Sequence, residues 1–345
     1  MKAEYYDGTK LLSMYDINGN KPEIYLCTTN RTGGKTVYFS RLLVNAFKNK
    51  GEKFCLLYRF NYELDNVHDK FFKDINKLFF QEDEMTSEKR ARGIYCDLFL
   101  NDVHCGYAIS LNNADQIKKF SHLFSDTSKM FFDEFQSETN HYCNDEINKL
   151  ISIHTSIARG NGEQSKYLPL YMCGNTVSLI NPYFVELGIS QRLDCKTRFL
   201  KGDGFVLEQG FVESASRAQK ESAFNRAFKN SNYVAYSAEN VYLNDNYAFV
   251  EKISGRSRYI CTIKYDGNNY GVKEFAEAGV MYCDDKPDLS YPTKISTTTD
   301  DHGVNYVMLQ RNDFFIQNIR YLFEHGCFRF KNLKCKEAIL SALKY

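Results

Sequence analysis

The residues best suited to chemistry are Thr29-Asn30-Arg31-Thr32-Gly33-Gly34-Lys35-Thr36. Adjacent glycines let consecutive backbone N–H groups turn inward around phosphate oxygens at the start of a helix. A lysine directly after them reaches the β- and γ-phosphates as a point charge, and the hydroxyl that follows can ligate Mg2+. All eight residues are therefore candidates for contact with ATP. The departure from the usual pattern is Thr29, which stands where the first Gly is expected. Taken alone, the stretch also reads as a tight turn with an exposed lysine.

A second constellation narrows the chemistry. Lys129-Met130-Phe131-Phe132 is an apolar run that ends in Asp133-Glu134. Asp133 would hold Mg2+ through water, and Glu134 would polarise the attacking water. An acidic pair at a solvated strand end is the plainer alternative, but with the loop upstream the joint reading is nucleotide hydrolysis. Leu170-Tyr171-Met172-Cys173-Gly174 runs into Asn175, an amide that could sense the γ-phosphate or the water. Arg159 precedes that run; alone it is a surface arginine, whereas in a ring ATPase such a position can lend an arginine finger to a neighbour.

These side chains need a frame that brings distant segments together. Ile24–Thr28, Phe54–Tyr58, Met130–Phe132 and Leu170–Cys173 are short, continuous apolar runs, the pattern of strands covered on both faces. Between the first two, Val37–Lys50 repeats apolar residues at helical spacing (Leu42, Leu43, Ala46, Phe47) and stops at Gly51. The fold class is α/β with a mainly parallel sheet. Arg217–Phe228 reads as an exposed charged helix in a connector. From about Tyr242 the pattern turns to β, beginning with VYLNDNYAFVEK (241–252) and including an Asp266-Gly267 hairpin turn. A helix over Asp313–His325, capped by Asp313 and stopped by Gly326, and a last helix complete a small α+β domain.

Composition sets the outer bounds. The 345 residues carry 44 Lys+Arg against 43 Asp+Glu, a formal charge of +1, so nucleic acid would have to be met by local patches. Eleven Cys without any CxxC point to reduced thiols rather than a disulfide framework or zinc site. The N-terminus lacks the apolar core of a signal peptide, and no run approaches the length of a membrane span. An intracellular protein with no membrane partner is the expectation.

With these elements placed, the sequence resembles the DNA-encapsidation ATPases of small Bacillus-type podoviruses, packaging motors related to large terminases. The resemblance is carried by the phosphate loop with its internal Arg31, GEKFCLLYRFNYEL (51–64), GYAISL (106–111), FFDEF (131–135), GNTVSLINPYF (174–184), GVMYCD (279–284) and TTDD (298–301), in that order. It implies a P-loop NTPase of the ASCE, terminase-like type over 1–200, a small linker or helical connector over 201–238, and an RNase-H-like, vestigial nuclease domain over 239–345. It implies ATP and Mg2+ as substrate and cofactor, and a homopentameric ring that drives double-stranded DNA into a procapsid in the host cytoplasm. The portal, or connector, of that procapsid and a structural procapsid RNA are the further partners it suggests.

Residue by residue, the resemblance gives Lys35 and Thr36 the loop roles, Asp133 the metal, Glu134 the catalytic role, Arg159 the trans finger and Asn175 the coupling position. Lys118 or its neighbour Lys119 falls near a lysine that works at the subunit interface or on DNA. Two other readings stand beside the motor: a metal-dependent nuclease using Asp266, Asp284, Asp285, Asp300 and Asp301, and a portal scaffold that binds ATP without turnover. Basic residues of the connector (Arg217, Lys220, Arg226, Lys229) and of the C-terminus (Arg320, Arg329, Lys331, Lys334, Lys336) could form nucleic-acid or portal contacts, or simply a solvated face.

Overall fold

The structure, a computed structural model, describes residues 5–139, 141–159, 164–178, 181–189, 192–193, 197–228, 237, 249–296, 298–309 and 313–343. The chain divides into two compact units, Met1–Asn244 and Asp245–Tyr345.

In the first unit the strands are β1 (Ile24–Thr29), β2 (Lys53–Tyr58), β3 (Met85–Arg90), β4 (Tyr95–Leu100), β5 (Val103–Ser110), β6 (Thr127–Phe132), β7 (Leu170–Asn175), β8 (Phe199–Lys201) and β9 (Phe205–Gln209). The helices are α1 (Thr9–Leu12), α2 (Lys35–Lys50), α3 (Val67–Phe79), α4 (Ala114–Ile117), α5 (Glu146–Ala158), α6 (Pro182–Glu186), α7 (Glu213–Glu221) and α8 (Ala223–Ala227). Among the described residues the strands form one sheet in the order β3-β4-β5-β2-β6-β7-β1-β9-β8. The six from β5 to β9 run parallel, so the ends of β1, β2, β6 and β7 share one carboxyl edge. Loops at that edge of an open α/β sheet are where ligands bind.

The apolar runs are buried as their composition demands: β1, β7 and β9 are inaccessible along nearly their whole length. Helix α2 lays Phe39, Leu43 and Val44 on the sheet, where the Phe39 ring meets Tyr171 at 5.4 Å and Phe131 at 6.1 Å. Each large apolar side chain taken fully out of water contributes about 1.5–3 kcal/mol. Gly51 ends α2 in the left-handed conformation, φ 66°, with its N–H on Phe47 O, as expected of a C′ glycine.

Three features differ from the sequence reading. Helix α2 starts at Lys35 rather than Val37, so the phosphate loop abuts it directly. The antiparallel strands β3 and β4 extend one side of the sheet beyond β5; β3 is a charged, mostly exposed edge, which gave it no strand signature. The connector expected over 201–238 begins inside the sheet instead, because β9 pairs in parallel with β1 and β8 closes on β9. Its helical part is two short helices, α7 and α8, broken where Ser222 caps α8 by accepting from Asn225 N–H.

The second unit has its own sheet, β14-β13-β10-β11-β12-β15, among the described residues. Its strands are β10 (Arg258–Tyr265), β11 (Asn268–Phe275), β12 (Val280–Asp284), β13 (Lys294–Ser296), β14 (Val307–Met308) and β15 (Phe328–Phe330). β10, β11 and β12 form an antiparallel meander, with β13 and then β14 added parallel on the β10 side. That is the order of an RNase-H-like sheet, here with β15 added beside β12. Asp266 and Gly267 both have positive φ, the requirement of the two-residue hairpin expected there. The helix Phe314–Glu324 is capped by Asp313, which accepts from Phe315 N–H at 2.8 Å, and it buries Ile316 and Ile319 against Ile263, Val272, Phe328 and Phe330. Strands β10, β11 and β12 fall on the β pattern expected after Tyr242, whereas residues 241–248 of its first segment lie outside the described residues.

Candidate nucleotide site

The loop follows β1 and its last turn is made by backbone alone. Thr32 has φ 59° and Gly34 φ 89°, and α2 begins without a side-chain cap, which leaves its first N–H groups to an incoming anion. Gly33 is closely surrounded: a Cβ there would stand 3.0 Å from Thr29 Oγ1 and 3.1 Å from Val212. Thr29 and Asn30 sit where the loop leaves β1. Both side chains are buried and serve the protein: Thr29 Oγ1 donates to Asn30 O, while Asn30 exchanges two hydrogen bonds with the backbone of Val212. A threonine replaces the first glycine because the chain is still strand at that point.

Lys35 is buried, and its Nζ donates to Asn175 Oδ1 at 2.6 Å. The register Thr29↔Asn175 between β1 and β7 sets that contact. Asp133, just past β6, lies close enough to Lys35 and the Thr36 hydroxyl to feel both electrostatically. Burial pushes its carboxyl above the usual range, against the pull of Lys35 and Thr36. Glu134 is exposed and in the left-handed region, φ 54°, a conformation that costs a non-glycine about 1–2 kcal/mol. Burial of its carboxyl under neighbouring atoms, then Asp133, then Glu138 raise its pKa. Lys35, Thr36, Asp133, Glu134 and Asn175 are thus brought together. The uncapped helix, the buried ammonium and the hydroxyl–carboxylate pair fit Mg2+ and a polyphosphate.

Several residues of the site carried no sequence signal. Glu138 pairs with Arg31 and accepts from Asn175 Nδ2 at 3.4 Å. Gln136 accepts from Val177 and Ser178 N–H through Oε1. Arg59, at the end of β2, grips the catalytic segment from behind. Its guanidinium donates to Glu134 O at 3.3 Å and Phe135 O at 2.8 Å, and its Nε to both oxygens of Glu146 at 3.1 and 2.9 Å. Glu146 also accepts from Tyr183 OH at 2.5 Å and Cys143 N–H at 2.7 Å. Arg59 and Glu146 are 7% and 3% exposed, so this ion pair is out of water. The only hint in the sequence was that Arg59 interrupts an apolar segment.

Arg159 stands apart from that cluster. Helix α5 starts at Glu146 and its 13 residues carry the chain about 20 Å at 1.5 Å per residue. Ala158 at its end accepts from Lys166 N–H, and Lys166 Nζ donates to Thr127 O at the start of β6. Arg159 therefore lies by the amino edge of the sheet, opposite the loop. It is exposed and has no ion-pair or hydrogen-bond partner among the described residues.

Residues 1–344 match the profile of the Podovirus DNA encapsidation protein (Gp16) family. The chain belongs to this family. Two similar relatives, the DNA packaging proteins of Bacillus phage PZA and Bacillus phage phi29, are each 26% identical over 335 residues, covering 96% of this chain and 94% of the relative. The fold is shared with a solved structure of the bacteriophage Phi-29 viral genome packaging motor assembly, with a TM-score of 0.66, 22% identity and 99% of both chains covered. The P-loop α/β architecture and a DNA-packaging role follow from membership.

Within this encapsidation-family chain the remaining candidates separate by environment. Lys118 and Lys119 are exposed on the turn after α4, and Lys118 pairs with Asp115 at 3.4 Å. Arg217 pairs with Glu213, Arg226 donates to Glu221 O, and Lys229 lies outside the described residues. The C-terminal basic run is not an open face. Arg320 donates to Leu343 O, Arg329 pairs with Glu251, Lys331 pairs with Asp285 and Lys336 is buried, which leaves Lys334 exposed. Of the C-terminal carboxylates, Asp284 pairs with Lys273 at 2.5 Å, Asp285 pairs with Lys331, and Asp301 accepts from Asp266 and Gly267 N–H. Among the described residues no group of three or more His, Cys, Asp or Glu is arranged to hold a metal ion, and no helix is long and apolar enough to cross a membrane.

Proposed function

We propose that this chain is the ATP-hydrolysing subunit of a viral packaging motor, driving double-stranded DNA through the portal of a procapsid. The observation that carries the reading is the junction of three parallel strands at one edge, where Lys35 meets Asn175 and Thr36 meets Asp133 beneath an uncapped helix. The N–H groups at the start of α2 and Lys35 would bind the phosphates, and Thr36 and Asp133 would hold Mg2+. Bound there, the ion would supply positive charge to offset that of the phosphates. Glu134 accepts a proton from water as the water oxygen bonds to the γ-phosphorus and the bond to the β–γ bridging oxygen breaks, releasing ADP and phosphate. Its backbone is held by Arg59, so the carboxylate is pre-positioned rather than free to search.

Charge building on the transferred group needs a further cation, and Arg159 supplies it to a neighbouring subunit. About 20 Å of helix between Arg159 and its own site supports action in trans. A homopentameric ring, contact with a structural RNA and a DNA role for Lys118 or Lys119 are extensions of the same reading from family resemblance. Near-neutral net charge suits a translocase, since each neutralised phosphate adds a salt-sensitive binding term that must be released every cycle.

The test is steady-state ATP hydrolysis, with and without double-stranded DNA, for Glu134→Gln, Arg159→Ala and an equal mixture of the two. Each variant alone is expected to lose about 10²–10³-fold or more. The mixture regains part of the rate, because some interfaces pair an intact Glu134 with an intact Arg159. No recovery despite confirmed subunit exchange would remove the trans role, and an active Glu134→Gln protein would remove the catalytic assignment.

A further inference from the structure

The site contains a third carboxylate for which neither the loop nor the acidic pair has a use. Glu138 Oε1 pairs with the Arg31 guanidinium and also accepts from Asn175 Nδ2 at 3.4 Å. Asn175 Oδ1 accepts from Lys35 Nζ at 2.6 Å. One protein anion thus links the loop arginine, the strand-end amide and, through that amide, the loop lysine. Those are the groups that would meet the terminal phosphate under the reading above. A carboxylate and a phosphate offer these donors the same thing, an anionic oxygen for charge-assisted hydrogen bonds. At 28% exposure the Glu138 side chain is accessible enough to leave without unpacking the core.

We propose that Glu138 is a built-in stand-in for the γ-phosphate. In the nucleotide-free site its carboxylate occupies Arg31 and Asn175; ATP takes those partners over and expels it, whereas ADP has nothing to put in its place. The inference rests on the ATP-hydrolysing reading of the site. It assigns the triphosphate-versus-diphosphate discrimination to a side chain of the protein, since a ligand shifts an equilibrium only by its differential affinity for the two states. It also gives the γ-phosphate a mechanical outlet. Glu138 lies two residues beyond Gln136, whose Oε1 accepts from Val177 and Ser178 N–H at 3.1 and 2.9 Å, so displacing Glu138 pulls on the chain leaving β7.

The test is equilibrium binding of adenylyl imidodiphosphate, which carries an unhydrolysed γ group, and of ADP, both with Mg2+, to the full chain. Wild type is compared with Glu138→Gln and Glu138→Asp. Removing the competitor tightens the imidodiphosphate by about five- to tenfold while ADP changes less than about twofold. Glu138→Asp keeps the charge but is one methylene short of its partners, and moves the same way as Glu138→Gln. Equal tightening of both ligands by Glu138→Gln, or wild-type behaviour of Glu138→Asp, reduces the effect to bulk charge and overturns the proposal. Weaker imidodiphosphate binding by Glu138→Gln overturns it as well, by making Glu138 an organiser of the bound state. A wild type that binds neither probe defeats the underlying ATPase reading, and this inference with it. Circular dichroism of each variant guards against misfolding; if Glu138→Gln fails to fold, Glu138→Asp carries the comparison.

Discussion

The two acids after β6 sit in an environment that resists their charge, and that has a measurable cost. Asp133 is held above the ordinary carboxylate range mainly by burial, so its charged form opposes folding. A folded-state pKa above the unfolded one contributes stability at low pH that is lost as pH rises through the folded value. Asp133→Asn should therefore raise the melting temperature of the nucleotide-free protein by a few degrees, about 2–4 °C per kcal/mol for a unit of this size. The gain should appear at neutral pH and vanish as pH falls through the carboxylate range, while hydrolysis is abolished. Scanning calorimetry across pH checks both limbs. Glu134 has the matching kinetic signature: a base must be ionised, so the acid limb of kcat/KM, which reports the free enzyme, should lie above the ordinary glutamate range. Because Glu138 is one of the causes of that rise, Glu138→Gln should shift the limb to lower pH. At this scale the loop and the acid pair were legible because their chemistry fixes residue types at short spacing. Glu138, Arg59 and Glu146 were not. Each acts through partners that are distant in sequence, and a lone polar residue carries no periodicity to betray it.

Elements turn those residues into a device. The Arg59–Glu146 pair joins the end of β2, the backbone behind Glu134, the start of α5 and, through Tyr183, helix α6. Removing one partner of a buried ion pair strands the other charge, which typically costs about 3–5 kcal/mol. Arg59→Met should lower stability by that amount in urea unfolding, and adding Glu146→Met should recover part of it. The single variant should also lose kcat through Glu134 without loss of nucleotide affinity, since Arg59 touches no loop residue in the contacts described. Gly34→Ala tests the loop itself. At φ 89° an L side chain is strained, and its Cβ would meet the Tyr5 ring at 3.0 Å. A fall in nucleotide affinity with little change in melting temperature is expected. The parallel core strands and α2 were readable as continuous apolar runs and a helical stripe. β3 was hidden by its exposed charged positions, and β8 and β9 by a composition that reads as connector although β1 needs a partner on its far side.

The whole molecule consists of two units with separate cores, one around Phe39, Phe131 and Tyr171 and one around Ile263, Phe328 and Phe330. Heating should resolve two transitions in calorimetry. Nucleotide at 100-fold its dissociation constant should stabilise the Met1–Asn244 unit alone, by about 2.7 kcal/mol. A single transition that moves as one would show that the units unfold together. The opposition of Arg159 to the phosphate loop across one sheet has a consequence for symmetry. Under the trans role proposed above for Arg159, a subunit that gives an arginine from one edge and receives one at the other cannot make a two-fold, face-to-face dimer that completes both sites. It can associate only heterologously, head to tail, and such contacts end either by closing on themselves or by growing into an open filament. Two copies in contact then own one complete site, and an open row always has one fewer complete site than it has copies. Only closure makes every copy competent, so specific activity should climb with protein concentration and level off when the last gap is filled.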